Sequence, residues 1–329
     1  MKRALLLLPP DSRDQIYSQE AISEIESLVE LTDCSDRVGR LDNLRTVLGE
    51  TEVILSGWGM MRLDEEFLSA ALRLEAVLYG AGSVRSFVAD EFWGQDILLT
   101  STYAANAVPV VEYTVAALVF GLKRVLEARE LTRKAHRFRK PAVVKGLYGA
   151  KIGIIGAGMV GGGVLEKLKG YDVKPYCYDP YLSDERRREL GAESMALDEM
   201  FGTCDAVSVH APDIESTRGM ITGEHFRSMR DGAVFINTAR GRIVRESEMI
   251  DVLRAGTITA FIDVTDPEPP ESDSPLYTLP NVFLTPHHSG SGGDEVHRQG
   301  DYVVEELRRF LKGEAPRYPV TRDMMEWMA

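Results

Sequence analysis

The sequence predicts an α/β protein made of two doubly wound parallel-sheet domains, the first of which is discontinuous in the chain. Short apolar runs alternate with helical patterns twice along the 329 residues, before and after Lys151. Such alternation is typical of parallel sheets covered by helices. A last helical pattern, 294–312, follows the second series. We expect the chain to return there to the first domain, giving domains of 1–103 plus 290–329 and of 104–289, with the active-site cleft between them.

The first series contains four candidate strands and three candidate helices. The predicted strands are 3–8, 52–55, 76–78 and 97–99, and the predicted helices are 16–28, 41–48 and 65–74. A long apolar pattern over 108–128 predicts a helix that is buried on most sides. Its most apolar part, 108–122, contains Glu112 and is expected to fall short of a membrane span.

The second series contains six candidate strands, which is the number and order expected of a dinucleotide-binding sheet. They are 151–155, 175–178, 206–210, 233–238, 259–264 and 282–285. The first of these strands runs into Gly156-Ala-Gly-Met-Val-Gly161, a G-x-G-x-x-G turn. In this motif the first glycine makes the tight turn, the second lets the backbone approach a pyrophosphate, and the third lets the helix pack closely. The two alternating series together predict two Rossmann-like domains.

An acidic residue follows the glycine turn at the expected place. Asp179 ends the second strand of this series, roughly 20 residues after the glycines, where a carboxylate accepts hydrogen bonds from ribose hydroxyls. The helix N-terminus after the turn offers free N–H groups and partial positive charge to phosphates. Together these features predict a bound dinucleotide.

Composition and charge bound the classes of partner. The formal net charge of −13 disfavours nucleic acid as a partner, although 123–140 is basic. We interpret that segment as a solvated helix face and a loop. Cys34, Cys177 and Cys204 are scattered and lack metal-ligand spacing, which predicts reduced thiols, no metal site and a cytoplasmic protein. The apolar run 5–8 is too short for a signal peptide, so neither secretion nor membrane attachment is expected.

Three polar residues follow successive strands of the second sheet, at the carboxyl ends where ligands bind. Arg240, Glu268 and His287 are a guanidinium, a carboxylate and an imidazole. Such a set suits reduction of a 2-keto acid. The guanidinium grips the substrate carboxylate and polarises the ketone. The imidazole delivers a proton to the ketone oxygen, and the carboxylate orients the imidazole and favours its protonated form.

Spacing alone leaves alternatives open at two of these positions. His288 is adjacent to His287, and Asp263 and Asp266 compete with Glu268 for the carboxylate role.

At this point the sequence resembles the D-isomer-specific 2-hydroxyacid dehydrogenase family, clearly over 106–313 and more loosely before. The resemblance is carried by the glycine motif and by Tyr178-Asp-Pro180, Val209-His-Ala-Pro212, Asn237-Thr-Ala-Arg-Gly241, the segment 263–269 and the segment 279–287. It implies that Arg240 binds substrate, that His287 rather than His288 is the proton donor, and that Glu268 is its partner. It also implies that Asp179 selects NAD over NADP, and that the protein is a homodimer joined through its nucleotide-binding domains.

The resemblance extends the expected site. The expected cofactor-binding residues are Gly156, Gly158, Met159, Val160, Gly161, Asp179, His210, Pro212, Thr217, Thr238, Ala239, Asp263 and Gly290. A small 2-keto or 2-hydroxy acid is expected to bind Arg240, His287 and the backbone N–H groups of Ala81, Gly82 and Ser83.

Two features depart from the family pattern. The first-domain glycine loop lacks the usual acidic residues and carries Arg85, and His288 stands where an aliphatic residue is usual. These changes leave the expected chemistry intact and bear on the substrate, since Arg85 adds a cation near the expected cleft. A non-enzymatic NAD-sensing corepressor with this fold and a formate dehydrogenase-like enzyme are the alternative functions. The first is disfavoured by the lack of an obvious partner-docking extension, and the second by Glu268, because formate dehydrogenases lack that partner.

Overall fold

The computed structural model describes residues 1–326 and divides into two compact units. One unit comprises Met1–Asn106 and the chain from Ser291, and the other comprises Ala107–Gly290. Each unit contains one parallel sheet with helices, so the predicted fold class is confirmed.

The sheet of the first unit has five parallel strands in the order β2-β1-β3-β4-β5. The strands are β1 (Arg3–Leu6), β2 (Glu30–Asp33), β3 (Val53–Ser56), β4 (Ala76–Tyr79) and β5 (Leu98–Ser101). The helices are α1 (Pro10–Ile16), α2 (Gln19–Leu28), α3 (Arg45–Leu48), α4 (Glu65–Ala70) and, after the second unit, α12 (His297–Leu311).

Successive residues of the central strands point to opposite faces, and both faces are buried. Leu5, Ile54 and Val77 pack into one apolar cluster, and their neighbours Leu6 and Leu55 pack into another. A strand that buries both faces must be apolar throughout, which explains the continuous apolar runs in the sequence.

The sheet of the second unit has seven parallel strands in the order β12-β11-β10-β9-β6-β7-β8. The strands are β6 (Ala150–Ile155), β7 (Val173–Tyr178), β8 (Glu193–Ser194), β9 (Ala206–Val209), β10 (Val234–Asn237), β11 (Thr259–Ile262) and β12 (Val282–Leu284). The helices from Tyr103 onward are α5 (Tyr103–Leu122), α6 (Val125–Ala135), α7 (Met159–Leu168), α8 (Asp184–Glu189), α9 (Leu197–Thr203), α10 (Gly223–Ser228) and α11 (Glu246–Leu253).

The strand order of this sheet places β10, β11 and β12 side by side, with their carboxyl ends at the same edge. It also places β6 between β7 and β9, so the chain direction along the sheet reverses beside β6. In doubly wound sheets the ligand binds at such a reversal.

Several elements differ from their prediction. The predicted helix 16–28 is two helices, because Ser18 caps α2 by accepting the N–H of Ala21. The predicted helix 108–128 begins earlier and divides at Arg124, whose φ of 52° lies in the left-handed region. Strand β2 was not predicted because it is polar and mostly exposed.

Helix α5 is long and apolar enough to cross a membrane by length and composition, so the expectation that its apolar stretch is too short is wrong. The helix begins at Tyr103, five positions before the predicted pattern. Of its most apolar 18-residue window, 56% is buried inside the protein. A mostly buried core helix passes the same test, so the finding is weak evidence for a span.

The basic segment 123–140 includes α6, and several of its cations pair with carboxylates of that helix. Arg133 and Lys134 lie 3.2 and 3.4 Å from carboxylate oxygens of Glu130, and Arg124 lies 2.5 Å from Glu127. These pairs agree with the interpretation of this helix as a solvated face. The cysteines are free and buried, and burial raises the pKa of the Cys177 and Cys204 thiols to about 12.

Candidate active site

The glycine turn joins β6 to α7 and has a distinct geometry at each glycine. Gly156 has a φ of 84°, and a Cβ there would lie 2.8 Å from the backbone nitrogen of Ala211. A Cβ at Gly161 would collide with the carbonyl oxygen of Gly156, which is how the helix packs so close to the turn. Both positions therefore require glycine for the fold of this unit itself.

Gly158 differs from these two glycines, because packing within the second unit does not require a glycine at this position. No atom lies within 4 Å of a Cβ built on Gly158, and its φ of −66° suits any residue. Gly158 is also the N-cap of α7 and provides no side-chain cap. The helix begins its hydrogen bonding with Gly162, whose N–H donates to the carbonyl of Gly158 over 2.9 Å. The helix therefore has no internal acceptor for the N–H groups of Met159, Val160 and Gly161, and such free N–H groups suit an anion.

Asp179 follows β7 and is fixed to the glycine turn by hydrogen bonds. Its Oδ2 accepts the N–H of Ala157 over 2.8 Å, and its Oδ1 accepts the N–H of Tyr181 over 2.9 Å. Each oxygen keeps a lone pair that can accept a ribose hydroxyl. The open space above Gly158, the uncapped helix and this oriented carboxylate fit the pyrophosphate and ribose of NAD.

The loop after β9 contributes His210, Pro212 and Thr217. The His210 Nε2 lies 2.9 Å from the Ser208 hydroxyl, and the backbone N–H of His210 donates to the Ile155 carbonyl over 2.7 Å. Burial lowers the pKa of His210 to about 3, so its imidazole is neutral at ordinary pH. The Thr217 hydroxyl closes the loop by donating to the Pro212 carbonyl over 2.5 Å.

Arg240 lies in the turn after β10, and the buried side chain of Asn237 organises that turn. The Asn237 amide donates to the Arg240 carbonyl over 3.1 Å and accepts the N–H of Ala239 over 3.1 Å. The hydroxyl oxygens of Thr238 and Thr114 lie 3.3 Å apart. The Arg240 side chain is half-buried and donates to the Ala239 carbonyl over 2.6 Å. Sequence reasoning missed Asn237, although an amide side chain directly before a strand-end turn was its signal.

Asp263, at the end of β11, holds the loop that follows β12. Its carboxylate accepts the Thr285 hydroxyl over 2.6 Å, the His288 N–H over 2.7 Å and the Ser289 N–H over 2.9 Å. Its own carbonyl accepts the N–H of His287 over 2.8 Å. Asp263 is only 2% exposed, so these bonds are shielded from water. Gly290 follows this loop directly.

His287 and Glu268 are in direct contact. The Nδ1 of His287 lies 2.6 Å from Oε1 of Glu268, and each side chain is less than half exposed. The φ of His287 is 52°, which turns the chain sharply at this residue. With Nδ1 facing the carboxylate, the ring presents Nε2 on its opposite side.

The competing residues have other partners. Asp263 is committed to the loop, Asp266 lies 3.6 Å from Arg242, and His288 contributes its backbone N–H to Asp263. The geometry thus favours Glu268 over both aspartates as the carboxylate beside an imidazole. Arg240 follows the strand two positions from β12 in the same sheet, and in the described structure its guanidinium bonds a backbone carbonyl rather than this pair.

In the first unit, the loop after β4 contains Ala81, Gly82 and Ser83. Within residues 1–326 the N–H groups of these three residues donate to no acceptor. The carbonyl oxygens of Ala81 and Gly82 contact the Ser101 hydroxyl. Free consecutive N–H groups suit a carboxylate. The Arg85 guanidinium contacts the Met325 carbonyl through Nε, over 3.0 Å, and through Nη2.

Comparison with known proteins gives one family model. Residues 115–289 match the model described as D-isomer specific 2-hydroxyacid dehydrogenase, NAD binding domain.

Two curated relatives illustrate the similarity. A glyoxylate reductase of Korarchaeum cryptofilum is 30% identical over 270 residues, which is 80% of this chain and 81% of that protein. A D-3-phosphoglycerate dehydrogenase of Archaeoglobus fulgidus is 28% identical over 253 residues, or 77% of this chain and 48% of that protein. The chain thus spans about half the length of this dehydrogenase.

Solved structures share the fold. A phosphoglycerate oxidoreductase from Rhizobium etli superposes with a TM-score of 0.85 at 23% identity, covering 98% of this chain and 99% of the other. The NAD-complexed D-isomer specific 2-hydroxyacid dehydrogenase from Lactobacillus delbrueckii ssp. bulgaricus gives a TM-score of 0.78 at 22% identity, covering 97% and 100%. At these identities the likeness concerns the fold alone.

Proposed function

We propose that this chain, which belongs to the D-isomer-specific 2-hydroxyacid dehydrogenase family, is an oxidoreductase that interconverts a small 2-keto acid and its D-2-hydroxy acid with NAD(H). The observation that carries the proposal is the contact of 2.6 Å between His287 Nδ1 and Glu268 Oε1. This pair follows two strands of the same sheet whose glycine turn suits a dinucleotide.

NAD, when bound, supplies or accepts the hydride. The residues that would hold it are the glycine turn, through the N–H groups at the start of α7, and Asp179, through the ribose hydroxyls. The remaining proposed contacts come from His210, Pro212, Thr217, Thr238 and Ala239, with Asp263 and Gly290 supporting the loop beside them. A carboxylate at Asp179 repels a 2′-phosphate, which favours NAD over NADP.

His287 is the proposed acid and base. Because Nδ1 faces Glu268, Nε2 is the nitrogen available to a substrate oxygen. During reduction His287 gives its Nε2 proton to the ketone oxygen, and during oxidation it takes that proton back from the hydroxyl. Glu268 keeps the ring in one orientation and stabilises the imidazolium.

Arg240 is the proposed substrate anchor. A guanidinium binds a carboxylate with two parallel N–H donors and polarises an adjacent ketone. We further propose that the N–H groups of Ala81, Gly82 and Ser83 bind a substrate carboxylate, which is supported by their lack of acceptors within residues 1–326.

We also propose that the protein is a cytoplasmic homodimer, binding neither nucleic acid nor a membrane. The buried, free thiols support the compartment. The dimer is supported by exposed apolar side chains in the segment after α6: Phe138 is 96% exposed, Val143 70% and Tyr148 85%. Exposed apolar groups that form a contiguous patch mark interaction surfaces. Sedimentation of the wild type and of Phe138→Asp tests this proposal, and a monomeric wild type contradicts it.

A pair of matched variants tests the catalytic assignment. His287→Gln should lower kcat for keto-acid reduction by about 10²–10⁴, the usual worth of a positioned general acid. His288→Gln is the control, because His288 bonds Asp263 through its backbone N–H, which the substitution retains. The assignment is wrong if His287→Gln keeps full activity, or if the loss occurs in His288→Gln instead.

A further inference from the structure

The carbonyls of loop 81–83 are held by groups at the end of β5, and the Ser101 hydroxyl contacts two of them. Ser101, the last residue of β5, is 1% exposed, and its Oγ lies 2.8 Å from the carbonyl oxygen of Ala81. The same hydroxyl also contacts the carbonyl oxygen of Gly82, so the two carbonyls share its single proton. The backbone of Ser101 is itself fixed, because its N–H donates to the Tyr318 carbonyl over 3.2 Å.

Because peptide groups are planar, the position of these carbonyls fixes the direction of the N–H groups that follow them. In a trans peptide the C=O of one residue and the N–H of the next point in opposite directions. In the described chain the cis peptides precede Pro267 and Pro269, so the peptides at 81–83 are trans. Because Ser101 draws the carbonyls of Ala81 and Gly82 towards itself, the N–H groups of Gly82 and Ser83 are directed away from it.

The space around Gly82 is open. A Cβ at Gly82 would meet no atom within 4 Å, and Gly82 is not among the glycines with positive φ. Neither packing within residues 1–326 nor backbone conformation therefore requires glycine at this position. A close approach by a ligand to the peptide on this side accounts for both observations.

We propose that Ser101 is a positioning residue for substrate binding, which fixes the N–H groups of Gly82 and Ser83 so that they grip the substrate carboxylate. The inference rests on the proposed function, because it needs a carboxylate substrate at this loop. Ser101 touches the peptide carbonyls and acts through them on the substrate.

The two peptides depend on Ser101 to different degrees. The Ala81 carbonyl also accepts the Thr102 N–H over 3.0 Å and lies 3.3 Å from the Thr102 hydroxyl. In the described part of the chain, the Gly82 carbonyl accepts from Ser101 alone. Loss of the Ser101 hydroxyl therefore loosens the Gly82–Ser83 peptide and leaves the preceding peptide anchored.

The test compares Ser101→Ala with Ser56→Ala. Ser56 ends the neighbouring strand β3, is fully buried, and donates to the Leu7 carbonyl over 2.6 Å. Each substitution deletes one buried hydroxyl that bonds backbone carbonyl oxygen beside the same sheet, but only the Ser101 hydroxyl bonds carbonyls of the loop. The measurements are KM and kcat for glyoxylate and hydroxypyruvate, the Kd of NADH by fluorescence, and the Kd of oxamate by calorimetry with NADH present.

Ser101→Ala should raise KM and the oxamate Kd about tenfold, since one weakened hydrogen bond to an anion is worth about 1.4 kcal/mol. Its kcat should stay within about twofold of the wild-type value, because the hydroxyl does not act on the reacting atoms. The NADH Kd should be unchanged. Ser56→Ala should match the wild type in KM and oxamate Kd, with a comparable drop in melting temperature.

Three outcomes would overturn the inference. If Ser101→Ala keeps wild-type KM and oxamate Kd, the hydroxyl does not position the loop, and the proposed function is unaffected. If Ser56→Ala raises both constants equally, the effect is general destabilisation. If the wild type neither reduces any keto acid nor binds oxamate, the proposed function fails and the inference fails with it.

Discussion

Asp263 should be the most sensitive residue of the second unit, because one buried carboxylate satisfies three donors of the loop that carries His287. Its oxygens accept the Thr285 hydroxyl and the N–H groups of His288 and Ser289 at 2.6–2.9 Å. A hydrogen bond to a charged group contributes roughly 1.5–3 kcal/mol, and a buried donor left unpaired costs about as much.

Two substitutions separate these effects. Asp263→Asn keeps one oxygen, which can still accept from Thr285 and His288, and places an amide N–H₂ opposite the Ser289 N–H. We expect the free energy of unfolding to fall by about 2–3 kcal/mol. Asp263→Ala leaves all three donors unpaired and should cost about 4 kcal/mol or more, the range of the severest single substitutions.

Activity should fall with stability, because His287 shares this loop. A catalytic group displaced by about 1 Å loses on the order of 10² in rate. The assay is urea unfolding together with kcat for keto-acid reduction. Asp266→Asn is the control, because that exposed side chain pairs with Arg242 at 3.6 Å, and exposed pairs contribute about 0–1 kcal/mol. The reasoning is refuted if Asp263→Asn matches this control in both unfolding free energy and kcat.

Three further predictions concern the cofactor, pH and substrate. Wild-type kcat/KM should favour NADH over NADPH, and Asp179→Ala should narrow the ratio, because the carboxylate repels a 2′-phosphate; equal wild-type values contradict this. Burial lowers the pKa of His210 to about 3 from 6.5, so below pH 6.5 the unfolded chain binds a proton that the native state refuses. Stability should therefore fall as pH drops from about 6.5 towards 3, by at most about 1.4 kcal/mol per pH unit from this residue. Urea unfolding at several pH values should show that the unfolding free energy declines less with falling pH in His210→Gln than in the wild type. An identical decline in the two proteins would exclude His210 as the cause. Arg240→Lys should raise the keto-acid KM and lower kcat while NADH affinity is unchanged, since lysine lacks the planar two-donor fork; steady-state kinetics with unaltered KM would contradict the assignment.

The parts of the fold that were predicted correctly are those that local sequence determines. Buried central strands such as β3 and β4 are continuous apolar runs, and a glycine turn followed by an acid is a local spacing. Strand β2 escaped prediction because its residues are polar and largely exposed, and β8 has only two residues. The break between α5 and α6 requires a left-handed backbone at Arg124, and no glycine or proline stands at that position to indicate it.

The supporting contacts of the site could not be predicted from the sequence. Asn237 is the exception, because it bonds backbone groups of its own turn. Asp263 bonds the loop that follows β12, and Ser101 bonds carbonyls of the loop that follows β4. Such bonds exist only after strands distant in sequence have become neighbours. Sequence spacing therefore predicted candidate groups for the chemistry, whereas the structure shows which residues hold the turns and loops that carry those groups.

The most direct test of the central claim is NADH oxidation by the wild-type protein with glyoxylate, hydroxypyruvate, pyruvate and phenylpyruvate, followed by chiral analysis of the product. We expect NADH consumption with at least one of these keto acids, formation of the D-2-hydroxy acid wherever the product is chiral, and loss of turnover in His287→Gln. The absence of turnover with the whole panel, or an L-2-hydroxy acid product, would contradict it.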